Sequence, residues 1–221
     1  FSAEAARAVA RAPLPVLAAL ADKSLLRKDG TRLHLHPLVH QFAAARLGED
    51  AERDATQAAH AAYFLGVLAQ LRGPLAAGDR AALQAVDGDF QNVRRAWTWA
   101  IARTSADTVV GSAKALLDFC DHRGRFADAL ALYSAAAESP LAQADPAFGA
   151  LVRSQLAHVL YRLDRYPEAQ AQARRALDAA RKGDLATRRQ ALNVLATCAL
   201  RGGRLAEARE HFQKVLDVST G

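Results

Sequence analysis

One five-residue phrase occurs three times in the second half of this chain: Arg125-Phe126-Ala127-Asp128-Ala129, Arg165-Tyr166-Pro167-Glu168-Ala169 and Arg204-Leu205-Ala206-Glu207-Ala208. Its closing alanines lie 40 and then 39 residues apart. A period near forty is that of a helical hairpin, a unit too small to bury its own apolar face, so copies must stack. In the middle copy Val152, Leu156, Val159, Leu160 and Leu163 form a helical stripe. Asp164 to Pro167 then turns the chain, and Ala169, Ala173, Ala176 and Leu177 line a second helix. The last copy repeats this with Leu192, Leu195, Ala196, Ala199 and Leu200, a Gly202-Gly203 turn, then Ala208, Phe212, Val215 and Leu216. Small alanines belong where two helices cross closely, because a larger side chain would splay them. Arrays of this kind offer long surfaces to partners, so the chain is expected to bind and relay rather than to catalyse.

The 221 residues suffice for one large domain or two ordinary ones. Apolar residues at 51% and charged residues at 24% exclude disorder by composition. The net charge of +6 rests on arginine, since only five of 29 basic residues are lysine. Basicity spread so evenly permits nucleic-acid contact without arguing for it, because a dedicated binder concentrates charge in a patch. Cys120 and Cys198, the two cysteines, sit inside apolar helical patterns and read as core hydrophobes in a reducing compartment. No apolar run is long enough for a membrane span. The start at Phe1, without methionine and inside a helical pattern, reads as an excised piece of a longer cytoplasmic protein.

Residues 1–48 have a different texture. Ser2 is placed to cap a short helix through Ala10, which Pro13 and Pro15 break. Pro15 opens a second helix to Asp22. Asp29-Gly30 between two short runs signals a β-hairpin, with Leu33 and Leu35 alternating against polar neighbours. Pro37 opens a third helix with Leu38, Phe42, Ala43 and Leu47 at helical spacing, ended by Gly48. From about Asp50 to Arg103 the pattern is all helix. One long helix spans roughly 51–72, with Ala62, Leu65, Leu68, Ala69 and Leu71 on its apolar side, and Gly73-Pro74 and Gly78 break it. A short helix follows over about 79–86, and Asp87 or Asp89 caps the next, which buries Phe90, Val93, Trp97 and Ile101.

The repeat pattern resembles tetratricopeptide repeats, with Ala157, Ala169, Ala196, Ala208 and Phe212 on that family's small and aromatic positions, in units longer than its usual ~34 residues. The stretches 17–26 and 32–39 resemble the winged-helix module of STAND-type signalling NTPases. Asp89-Phe90-Gln91-Asn92-Val93-Arg94-Arg95-Ala96-Trp97 resembles the segment joining that module to repeats in large bacterial regulators. The expected fold is predominantly α: a winged-helix remnant with one β-hairpin (1–48), a helical connector (49–105) and a tetratricopeptide-like superhelix (106–221). The resemblance implies an upstream NTPase core. No Gly-x-x-x-x-Gly-Lys-Ser/Thr occurs in this chain, so ATP or ADP is implied for the parent protein and no cofactor for the fragment. It also implies that His36 senses the β-phosphate of bound ADP, although the acid usually following that histidine is replaced by Pro37. The alternative is that His36 only caps the helix opening at Pro37.

By the same resemblance the first helix of each hairpin lines the concave side. The positions reading as exposed there are Lys114, Asp118, Ser154, His158, Tyr161, Asn193 and Thr197, a polar set with one aromatic that suits a protein partner or a small polar inducer. His34, His36 and His40 lack an acid or cysteine nearby, so no metal site is expected. Cys120 and His122 point to different sides of their helix, and no carboxylate pair or nucleophile is spaced for catalysis. The helix at 15–22 carries no Arg, Lys, Asn or Gln to read bases, and its apolar circumference implies burial against another domain. DNA binding is therefore expected only as an alternative through Arg27, Lys28 and Arg32 of the hairpin. Arg174, Arg175, Arg181 and Lys182 read as the solvated face of one helix. A sensor arm of a nucleotide switch and a stand-alone scaffold both fit these residues.

Overall fold

The computed structural model describes residues 1–46, 51–103 and 106–220. Among them the chain forms α1 (Ala3–Ala10), α2 (Leu14–Asp22), β1 (Leu26–Asp29), β2 (Arg32–Leu35), α3 (Pro37–Arg46), α4 (Ala51–Gln70), α5 (Arg72–Ala76) and α6 (Arg80–Ile101). Then follow α7 (Asp107–Arg123), α8 (Phe126–Glu138), α9 (Pro140–Ala144), α10 (Pro146–Arg162), α11 (Tyr166–Ala179), α12 (Leu185–Arg201) and α13 (Leu205–Thr220). The fold is mainly α with one small antiparallel hairpin, as the patterns indicate. Among the described residues no helix is long and apolar enough to cross a membrane.

The three phrases build three copies of one turn. In each, the first helix ends on a residue in the left-handed region: Gly124 at φ 64°, Asp164 at 58° and Gly203 at 71°. The amide of the next arginine then reaches back five residues: Arg125 to Cys120 O at 2.8 Å, Arg165 to Leu160 O at 2.9 Å and Arg204 to Ala199 O at 2.9 Å. This is the Schellman closure, which satisfies a carbonyl that the helix end would otherwise leave orphaned. The carbonyl of the same arginine accepts from the phrase's closing alanine at 3.0, 2.9 and 2.9 Å and so starts the second helix. Each guanidinium also reaches the acid three residues on, at 3.3 Å to Asp128, 2.5 Å to Glu168 and 2.6 Å to Glu207. Ala129, Ala169 and Ala208 are buried at the helix crossings. The first helices α7, α10 and α12 are 17 residues each. They begin at 107, 146 and 185, so the register advances evenly. The unit exceeds the usual length partly because α9 intervenes between α8 and α10. Gly149 lets α10 lie on that short helix, since a Cβ there would stand 2.8 Å from Ala142 O.

Upstream, Asp79 caps α6 by accepting from Ala82 N at 2.8 Å. Contrary to the sequence reading, α6 is one helix of 22 residues with no break at Asp87 or Asp89. Its buried stripe runs unbroken from Ala82 and Leu83 through Val86, Phe90, Val93 and Trp97 to Ile101, which outweighs the two cap-like acids. Those acids are engaged sideways instead. Asp87 pairs with Arg123 at 2.6 Å and Arg125 at 3.5 Å, and Asp89 takes Arg32 at 2.5 Å. Similarly, α5 runs through Gly73-Pro74, because a proline in the first turn has no helical hydrogen bond to lose. On α4 it is Ala61, Phe64, Leu65 and Leu68 that are buried, while Ala62 is exposed.

One continuous core joins this helical region to the repeats. Its keystone is a pair of fully buried aromatics. Trp97 donates its indole N–H to Leu132 O at 3.2 Å, Tyr133 donates its hydroxyl to Ala113 O at 2.6 Å, and the two rings meet edge to face at 5.4 Å. α6, α7 and α8 are thereby locked together.

The N-terminal unit has its own small core of Ala6, Leu17, Leu26 and Leu33. Ser2 caps α1 through a bond from Ala5 N at 3.1 Å. The hairpin turns at Gly30-Thr31, one residue later than Asp29-Gly30, since Asp29 pairs with Arg32 across the ladder. Gly30 supplies the positive φ that turn needs. Of the apolar circumference of α2 only Leu17 is buried, and Leu14 and Val16 are exposed. Leu38 and Phe42 of α3 are likewise exposed, and the expected Leu47 and Gly48 fall outside the described residues. At the other end Leu200, Phe212 and Leu216 are exposed, because α13 has α12 as its one close neighbour among the described residues.

Two outcomes follow from the crossing geometry. Ala169→Leu forces α10 and α11 apart and lowers unfolding free energy by about 1–3 kcal/mol in urea titrations. Arg165→Ala, which removes only an exposed pair, leaves the urea midpoint close to that of the parent chain.

Candidate binding groove

α7, α10 and α12 line up their inner faces in three stripes at three- and four-residue spacing. Two cavities open between them and share Lys114 and Gln190 on their borders. The smaller, of about 280 Å³, is lined by Lys114, Asp118, Asp121, His158, Tyr161, Gln190, Asn193 and Thr197 with Leu117 and Val194. The larger, of about 430 Å³, is walled by Arg72 of α5, Val110 and Lys114 of α7, the first turns of α10 and α12, and Gln155, Arg189 and Gln190.

Six of the seven groove residues named from the sequence, Lys114, Asp118, His158, Tyr161, Asn193 and Thr197, border the smaller cavity. Ser154 differs. It borders the larger cavity but is only 1% exposed, and its hydroxyl is spent on Leu151 O at 2.7 Å. Thr197 also turns its hydroxyl inward, to Asn193 O at 2.8 Å. Lys114 is paired with Asp118 one turn on. With His158 engaged by Asp121 and Tyr161 by Arg201, the polar groups left toward the groove are chiefly Asn193 and Gln190, the latter not among the seven.

The pattern reading missed Asp121, the charge centre of the smaller cavity. It accepts from Arg162 at 2.5 Å and meets His158 Nε2 at 3.1 Å, tying α7 to α10. Arg162 itself lies over the Phe126 ring, 4.6 Å from its centre. Burial pushes the Asp121 carboxyl up, but the bond from His158 and the charges of His158, Arg162 and His122 outweigh it and hold the group below the usual carboxylate value. Its place three residues after Asp118 was the available signal. Gln190 stands in the same relation to Asn193.

Two buried carboxyl or carboxamide oxygens on residues bordering these cavities lack a partner among the described residues. One is Asp118 Oδ2, and the other is the carboxamide oxygen of Gln155, a residue 2% exposed. An idle buried acceptor of this kind costs about 1–3 kcal/mol. Cys120 behaves as the expected core hydrophobe, its thiol pushed by burial up to about 12.

The other candidates lie apart. His36 is exposed and its Nδ1 accepts from Leu38 N at 3.3 Å, which caps α3 and leaves Nε2 outward. Among the described residues no three His, Cys, Asp or Glu gather as a metal would require. In the hairpin Arg27 and Lys28 are exposed, but Arg32 is committed to Gly88 O at 2.7 Å and to Asp89, which removes it from any DNA-facing set. Arg181 and Lys182 lie beyond the end of α11, so they do not share a helix face with Arg174 and Arg175.

Antiparallel helical pairs advancing in even register, with a groove walled by the first helix of each, define an α-solenoid of the repeat class. A family model for the tetratricopeptide repeat matches residues 150–220, which span nearly all of α10 to the end of α13. No curated protein and no solved structure matches the chain significantly. Repeats of this family generally mediate binding to protein partners.

The depressed Asp121 carboxyl has a consequence for stability. A carboxyl whose folded pKa lies below its unfolded value of about 3.9 stabilises the fold above that value, and the contribution is lost as pH falls through the folded pKa. Urea midpoints of the chain therefore fall below about pH 4. Asp121→Asn flattens part of that acid limb relative to the parent chain.

Proposed function

We propose that this chain is a binding and relay module whose partner is a protein docked in the concave groove of α7, α10 and α12. The observation that carries this reading is the convergence of side chains from three successive hairpins, His158 and Tyr161, Asn193, and Lys114 with Asp118, on one cavity. Residues about 40 apart in sequence have no reason to share a polar surface except through the stacking itself. The groove mixes both charges with apolar surface from Leu117 and Val194, so hydrogen bonding sets its selectivity while apolar contact adds area. The mechanism is recognition with population shift and involves no bond chemistry.

Within that module the N-terminal unit serves as the arm that reports a nucleotide state in a STAND-type regulator. Two features support this. Its order of two helices, hairpin and helix matches the resemblance read at 17–26 and 32–39. Arg32 also fastens the hairpin to Gly88 O and Asp89 of α6, so a shift of the unit is transmitted to the helix that carries Trp97 into the repeat core. His36 would present Nε2 to a phosphate of ADP bound to an upstream core. A gene encoding a P-loop NTPase core ahead of Phe1 is the expected context. A gene without one leaves the stand-alone scaffold as the function.

The groove assignment is tested by affinity capture with the purified chain and with His158→Ala/Tyr161→Ala/Asn193→Ala. The triple variant is expected to keep its helical signal and lose about ten-fold or more in affinity for the proteins captured. Undiminished binding of every partner removes the assignment.

A further inference from the structure

We propose that the larger cavity, beside the groove named above, is a binding site for a small organic anion that carries an amide and an apolar body. Its volume of about 430 Å³ is that of a small-molecule site and exceeds what one inserted side chain fills. Four independent features set the ligand's chemistry. Arg72 from α5 and Arg189 from α12 border the cavity, and neither has a carboxylate partner among the described residues. Guanidiniums recognise carboxylate or phosphate in forked geometry, so the ligand is anionic. Asp145 and Asp184 border the same cavity and keep their charge, but each is turned to its own helix start, Asp145 accepting from Ala147 N at 2.9 Å and Asp184 from Thr187 N at 3.1 Å, so neither pairs with a guanidinium and both forks stay open to a ligand. Val110, Phe148 and Leu151 supply an apolar wall.

Gln155 supplies the specific element. It is almost wholly buried, it borders this cavity, and its carboxamide oxygen meets no donor. That oxygen lies under the cavity wall, so a turn of the Gln155 side chain presents it to a ligand N–H, and Gln190 brings a second carboxamide to the same border. A hydrocarbon side chain of similar volume would have filled the Gln155 position without leaving an acceptor idle. An N-acylated acidic amino acid has the required set: carboxylate for the arginines, amide N–H for Gln155 and an acyl body for the apolar wall. This site does not depend on a protein in the neighbouring cavity. Shared Lys114 and Gln190 nevertheless give the two ligands a common border, through which one can alter the affinity of the other.

The test is calorimetric titration of the chain with N-benzoyl-L-glutamate as probe, alongside 4-phenylbutyrate, which lacks the amide, and the capped peptide acetyl-Phe-Glu-Glu-Phe-amide. The variants are Gln155→Leu, which removes the idle acceptor at nearly constant volume, and Arg189→Ala, which alters an exposed side chain. Both are expected to keep the parent's circular dichroism, with the melting transition unchanged in Arg189→Ala and raised in Gln155→Leu. The expected result is one-to-one binding of N-benzoyl-L-glutamate at sub-millimolar concentration, weakened about ten-fold or more by each variant. 4-Phenylbutyrate is expected to bind far more weakly and indifferently to Gln155→Leu. Absence of binding up to millimolar probe overturns the proposal, as does binding that Gln155→Leu leaves unchanged. Tighter binding of the capped peptide than of the probe overturns the small-molecule assignment and makes the cavity an extension of the protein groove.

Discussion

Everything in the repeat half hangs on a turn of two residues. A single left-handed residue stops the first helix, and the amide of the following arginine returns five residues to close it. Because that bond fixes the exit direction of the chain, the second helix starts at the same angle each time, and its first inward residue arrives at the same crossing point. That crossing calls for a small residue, and a buried alanine stands there in all three copies. The arginine–acid pair adds little energy at an exposed site. Its contribution is orientation, holding the arginine along the new helix while the backbone makes the closure. Asp164 shows how firmly the closure dictates conformation, since it accepts the left-handed region that glycine takes in the other two turns.

From that constraint the groove follows without further instruction. First helices of equal length in even register place corresponding residues side by side, so a polar position on one hairpin becomes a polar stripe across three. The cross-hairpin contact of Asp121 with His158 and Arg162 then ties neighbouring units on the groove side, while Trp97 and Tyr133 tie the connector to the first unit from within. The hairpin's Arg32 reaches the same connector helix from outside. A perturbation at the N-terminal unit therefore has a contiguous packed route to the groove wall.

The repeats were legible because their signals are local. A five-residue phrase and a helical stripe decide turn and helix with little help from elsewhere. The cap at Ser2, the hairpin and most groove positions followed from spacing of the same kind. Errors arose where a distant partner overruled a local preference. Asp87 and Asp89 look like helix starts, yet arginines 36 to 57 residues away engage them from the side and the stripe beneath continues. Ser154 looks like a groove residue, yet its short hydroxyl can satisfy itself on the preceding turn and sink into the core. Asp121 and Gln155 escaped notice for the reverse reason. Their importance comes from a neighbouring hairpin or an adjoining cavity, and their own helix marks at most the face they share, as Asp118 does for Asp121. The outward-facing Leu38, Phe42, Phe212 and Leu216 illustrate that periodicity identifies an apolar face without identifying what covers it.

The central claim is that the chain meets its partner through the inner faces of α7, α10 and α12. The most direct measurement is hydrogen exchange with mass-spectrometric readout on the chain alone and saturated with a captured partner. The account predicts that new protection concentrates on peptides holding Lys114 to Asp121, Ser154 to Tyr161 and Gln190 to Thr197. Protection confined to α8, α11 and α13, with the three first helices unchanged, would contradict it.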